Sequence, residues 1–181
     1  MFAIVIHHVI YDNNLEEKYR QYEEVKLINI SCFWHVSSFT LISGIVGYKI
    51  HKYSNLIFLW FSTVFYSTIF YLFAKKYKPS WIKQNDNLFH CFFPVIFKRY
   101  WYFSQYFGMY LILPIINKGI ENISKADLKI LIFTTIFIFI IWPDLINDKF
   151  DTFNFAKGYS ILFFTIFYIT GSYIGKYKSD L

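Results

Sequence analysis

The chain has 181 residues, a formal net charge of +6, 56% hydrophobic residues and 24% aromatic ones. Charged residues amount to 17%, against about 25% in an ordinary soluble domain. That is too little polar surface to coat a globule of this size, so a water-soluble enzyme domain is excluded and a bilayer-embedded chain is expected.

The first element is MFAIVIHHVIYD, an apolar run over residues 1–11 followed by Asp12. It is about half a membrane span and lacks the basic start and cleavage site of a signal peptide. The expectation is a helix that begins inside the membrane, in a chain truncated at its start. His8 and Asp12 are four residues apart and share a helix face. A carboxylate beside an imidazole fixes its tautomer and raises its basicity, which suits a general base. Histidines that merely meet headgroups at a helix end would show the same spacing.

Residues 12–27 are net acidic, carrying Asp12, Glu16, Glu17, Glu23 and Glu24 against Lys18, Arg20 and Lys26. Then come five stretches free of charge: 27–48, 53–74, 100–117, 130–143 and 158–175. A bilayer core of roughly 30 Å takes about 20 apolar residues at 1.5 Å each, so four of these can cross directly. The 130–143 run is long enough once Leu128 and a snorkelling Lys129 are added. With the first helix, the reading is an all-α polytopic bundle of about six transmembrane segments. The acidic loops 12–27 and 144–157 are expected outside and the 49–52 turn, with Lys49 and Lys52, in the cytoplasm. Residues 75–99 break that pattern, carrying six basic groups against Asp86. Within them LFHCFFPVIF (88–97) is expected to dip into the membrane as a re-entrant or interfacial piece.

Loops this short leave no room for a catalytic domain outside the membrane, so any chemistry belongs to helices and their ends. His35 sits well inside its span, where a hydrogen bond between helices explains it as readily as a function. Cys32 and Cys91 have no ligand spacing and are expected as small buried hydrophobes. No metal site is expected. In FTLISGIVGYK (39–49), Ser43, Gly44 and Gly47 are small residues that let a neighbouring helix approach, and Lys49 waits at the membrane edge as a phosphate contact. GSYIG (171–175) is a second close-packing motif. KRYWYFSQYFGMYLILPIINKGI (98–120) joins the basic pair Lys98 and Arg99 to an aromatic cluster at Trp101 and Tyr102, then a helix with polar Ser104 and Gln105 and a kinking Pro114. A small transporter or channel would more often show two similar halves with paired Gly or Pro breaks, and no internal repeat is present.

Taken in order, IVIHHVIY, FTLISGIVGYK, KRYWYFSQYFGMYLILPIINKGI and AKGYSILFFTIFYITGSYIGKY resemble the acyltransferase-3 family, integral membrane enzymes that acylate cell-surface polysaccharides. The resemblance covers nearly all of residues 1–181. It implies a partial acyltransferase-3 membrane domain, the N-terminal part of a normally ten-span fold, truncated at both ends, in the cell membrane. By that resemblance the histidine closing the first helix is catalytic. The matching register gives His8, with His7 the alternative and Asp12 orienting it. The family's upstream arginine has no counterpart, and KIHKYSN stands where part of the family carries clustered arginines. The implied donor is acyl-CoA, acetyl-CoA in the commonest case, and the implied acceptor is a glycan hydroxyl. Lys49, Lys98, Arg99 and Trp101 are then candidates for donor or acceptor contacts. The lipid bilayer is the remaining partner, and no nucleic acid is expected. An inactive fragment, or a channel-like membrane protein, is the alternative function.

Overall fold

The computed structural model describes residues 6, 9–10, 23–32, 35–47, 52–82, 87–97, 100–146 and 160–178. Among the described residues every regular element is helical. Ile6, Val9 and Ile10 are helical, with Ile10 buried and Val9 exposed. There follow α1 (Glu23–Cys32), α2 (His35–Gly47), α3 (Tyr53–Tyr77), a 3₁₀ turn (Pro79–Trp81) and the short α4 (Leu88–Phe92). The remainder is α5 (Trp101–Asn122), α6 (Lys125–Ile136), a π-helical turn (Phe137–Ile141), α7 (Trp142–Leu145) and α8 (Ile161–Tyr177). Within the expected span over 27–48, residues 27–32 and 35–47 are helical.

Local chemistry explains most boundaries. Ser124 and Ser160 cap α6 and α8 by accepting from the amides of Asp127 and Phe163. The Ser124 hydroxyl also donates to the Asp127 carboxylate at 2.6 Å. Pro143 has no amide hydrogen and its ring crowds the preceding turn. The helix widens there, and the Trp142 amide bonds to the Phe137 carbonyl, five residues back. This carries α6 through to α7 as a longer rod than the 130–143 run alone. At the end of α5 the Ile123 amide closes onto the Gly119 carbonyl. The last carbonyls of that helix, Ile120 and Glu121, accept from Lys176 Nζ at 2.6 and 3.3 Å, so an ammonium on α8 supplies donors that the terminus lacks.

Three helices make the centre: α2, α5 and α8. Going up α2, Thr40 meets Tyr102 and Ser43 meets Tyr106, so α2 and α5 point the same way. Going up α8, Phe164 meets Tyr102 and Lys176 meets Ile120, so α8 is parallel to both. The starts of α2, α5 and α8 thus share one end of the bundle and their finishes share the other. That is the alternation expected of a chain crossing back and forth. The main core gathers Leu56, Met109, Tyr110, Leu113, Phe164 and Tyr168. A second cluster, Ile120, Leu128 and Ile132, ties α6 to the far half of α5.

Glycine sets the α2–α8 distance. A methyl group on Gly44 would fall on the Tyr168 carbonyl oxygen, one on Gly171 on the Leu41 carbonyl oxygen, and one on Gly175 on the Ile45 carbonyl oxygen. All three obstacles are backbone, which cannot swing away. Gly47 meets nothing within 4 Å. The close approach predicted for Gly44 and GSYIG is present, and Gly47 takes no part in it.

α3 stands apart. It has 25 residues with a mean hydropathy of 1.8, and among the described residues it is the one helix long and apolar enough to cross a membrane. α5 has the length, but its tyrosines, Gln105 and Asn117 dilute the apolar character. α8, at 17 residues, is slightly short.

Candidate functional site

His7, His8, Asp12, Lys49, Lys98 and Arg99 lie outside the described residues. Trp101 is described: it opens α5, is half-buried, and meets Tyr102 and Phe164 edge-on with ring centroids 6.0 and 6.3 Å away. It belongs to the aromatic packing where α5 and α8 begin.

What the structure brings together is a seam of polar groups between α2, α5 and α8. Tyr102, Tyr106 and Tyr110 repeat every fourth residue and lie along one face of α5. Their rings are 5.9 and 6.1 Å apart, centroid to centroid. Each hydroxyl has a partner. Tyr102 bonds to the fully buried Thr40, Tyr106 lies 3.3 Å from Ser43 Oγ, and Tyr110 donates to the Lys52 carbonyl at 3.1 Å. Higher up, Tyr168 donates to Asn117 Oδ1 at 2.9 Å in a buried pair. Ser172 donates to the Tyr168 carbonyl at 2.9 Å and lies 3.5 Å from the Gly44 carbonyl.

The chemistry of this seam is limited by its membership. The described groups are hydroxyls, one amide and one ammonium. They can orient and hold, and none of these described groups is an imidazole or a carboxylate. The chain's imidazoles are His7, His8, His35, His51 and His90, and of these His35 opens α2. By donating to the Lys52 carbonyl, Tyr110 ties α5 to the residue that precedes α3.

The tyrosine face was not singled out in the sequence, although its spacing is a signal that could have found it. The spacing in YFSQYFGMY is a hydroxyl every four residues, a polar stripe in an apolar helix. Asn117 and Tyr168 had no such signal, because their pairing joins positions 51 residues apart.

No curated protein and no solved structure matches this chain. The acyltransferase-3 family, described as an acyltransferase domain, matches residues 1–180. That match runs through the helices of the seam and the histidine segment alike, and this chain belongs to the acyltransferase-3 family.

Proposed function

We propose that this protein is an integral membrane acyltransferase of about six spans that moves an acyl group, acetyl in the simplest case, from acyl-CoA to a hydroxyl of a cell-surface glycan. The observation that carries the reading is the family match over residues 1–180. His8 takes the proton of the acceptor hydroxyl while its oxygen attacks the thioester carbonyl carbon. The tetrahedral oxyanion then collapses, the C–S bond breaks, and the proton passes from imidazolium to the departing coenzyme A thiolate. The products are an ester and free coenzyme A. Asp12 orients the imidazole, and His7 is the alternative base. Lys49 serves the donor phosphates from the cytoplasmic edge, while Lys98, Arg99 and Trp101 form contacts at the opposite end of the bundle.

The test is transfer of radiolabelled acetyl from acetyl-CoA to a hydroxyl-bearing polysaccharide by membranes containing the chain. Label should appear in the glycan, and His8→Ala should lower the rate by about 10² to 10⁴ with the protein still present in the membrane. Adjacent helical positions point about 100° apart, so His7→Ala should be milder. Label absent with the unmodified chain would refute acyl transfer from this donor, and full activity in His8→Ala would assign the base elsewhere.

A further inference from the structure

The last turn of α3 and residues 78–100, which join α3 to α5, are divided in composition. Lys75, Lys76, Lys78 and Lys83 come first, and Lys98 and Arg99 follow. Between the two groups, 88–97 is almost wholly apolar. The fold sorts this segment into two faces. Cys91 and Pro94 are fully buried against the protein. Phe89, Phe92, Phe93, Ile96 and Phe97 face away, with Ile96 71% exposed. The outward rings form a connected cluster, Phe89 lying 4.9 Å from Phe93 and 5.9 Å from Phe97. Earlier in the same connection Trp81 is 68% exposed, with Lys78 Nζ 6.0 Å from its ring, and at the end of α3 Lys76 Nζ is 5.1 Å from the Tyr77 ring.

We propose that this connection is a lipid-binding element, its aromatic face sunk to the headgroup boundary of an anionic leaflet and its lysines on the lipid phosphates. Two physical constraints fix the depth. An apolar ring cluster turned outward is stable only against hydrocarbon. Yet α4 has five residues, so most of its backbone groups have no helical partner and cannot stand in the bilayer core, where no water satisfies them. The boundary meets both demands, and indole and phenol rings with neighbouring ammonium groups are the side chains that favour it. Charge selects the lipid: the segment is strongly basic, and a negative surface attracts each such group. This also accounts for basic residues at an end of the bundle where alternation expects few.

The proposal rests on the membrane reading but not on acyl transfer, and tryptophan quenching separates the two. The protein is reconstituted in vesicles of phosphatidylcholine with and without phosphatidylglycerol, using lipids brominated near the headgroup or near the chain end. The Trp81 contribution is taken as the difference from Trp81→Phe, and that of Trp60, on the spanning helix, as the difference from Trp60→Phe. Expected are stronger quenching of Trp81 by the shallow bromines than the deep ones, an increase with phosphatidylglycerol, and loss of that increase in the Lys75→Gln, Lys76→Gln, Lys78→Gln triple variant. Quenching of Trp60 by bromolipid while Trp81 responds only to aqueous iodide would overturn the proposal with the membrane reading intact. Equal quenching of Trp81 with and without phosphatidylglycerol would overturn the preference for anionic lipid. Bromolipid quenching of neither tryptophan would remove the membrane reading itself.

Discussion

α3 and the α2–α5–α8 trio are opposite solutions to the same solvent. α3 is the most span-like helix described, yet only 11% of its most apolar stretch is buried in the protein, and Phe58 is 74% exposed. The trio is less uniformly apolar and far better packed, and its contacts run through glycine, serine, threonine, asparagine and tyrosine. In water greasiness would decide which helix goes inside. In lipid it decides nothing between helices, because a leucine gains little by exchanging acyl chains for protein. What draws helices together is close backbone approach and hydrogen bonds that lipid cannot offer. Hydrophobicity therefore marks the helix that faces the bilayer, and small or hydroxyl-bearing residues mark the interface.

The contrast can be broken most forcefully at Gly171. Its missing side chain is the space that the Leu41 carbonyl occupies, so Gly171→Leu should separate α2 from α8. Overpacking of ordinary cores costs roughly 1 to 3 kcal/mol, and here the obstacle is backbone. The expected outcome is loss of the monodisperse species in detergent size-exclusion chromatography, whereas Phe61→Leu on α3 leaves it unchanged. A normal profile for Gly171→Leu would mean that the helices do not cross there.

Lys176→Met is the next largest. It keeps the length of the side chain and removes the ammonium, so the Ile120 and Glu121 carbonyls lose their donor. Leaving partly buried acceptors unsatisfied should cost about 1 to 3 kcal/mol, seen as a lower thermal midpoint in detergent. Tyr168→Phe should cost less, since hydrogen bonds between membrane helices average about 0.6 kcal/mol and reach about 1.7. A double-mutant cycle with Asn117→Ala measures the same quantity, and a coupling indistinguishable from zero would show that the pair does not form. Smallest is Gly47→Ala, which has open space and a helical position. It should be neutral or stabilising by up to about 1 kcal/mol, and a marked loss of stability would place a neighbour where the fold has none.

The sequence disclosed the elements more readily than their mutual faces. A span over 53–74 is α3 to within three residues, because charge-free length is itself the physical requirement for crossing. GSYIG announced a close contact, since two glycines one turn apart have few other uses in an apolar helix. That Gly44 would join it and Gly47 would not depends on the rotation of α2 against α8, which only long-range contacts fix. Pro143 was not singled out in the sequence, and the π-helical turn before it is how the backbone absorbs it. Of the candidate site, only Trp101 among the proposed contact residues is described. The hydroxyl stripe of α5 could be read from spacing, and its partners could not.

The parallel arrangement of α2, α5 and α8 also constrains the order in which the protein can be made. Gly44 and Ser172, which touch, are 128 residues apart. A ribosome adds about 5 to 20 residues per second, so α2 waits roughly 6 to 26 s for the surface it packs against. Throughout that time its notch of small residues and the hydroxyl edge of α5 stand without their final neighbour. The nascent chain is therefore most exposed to wrong pairing and to quality-control proteases just before α8 is made, and synthesis of that helix is the moment at which the bundle locks.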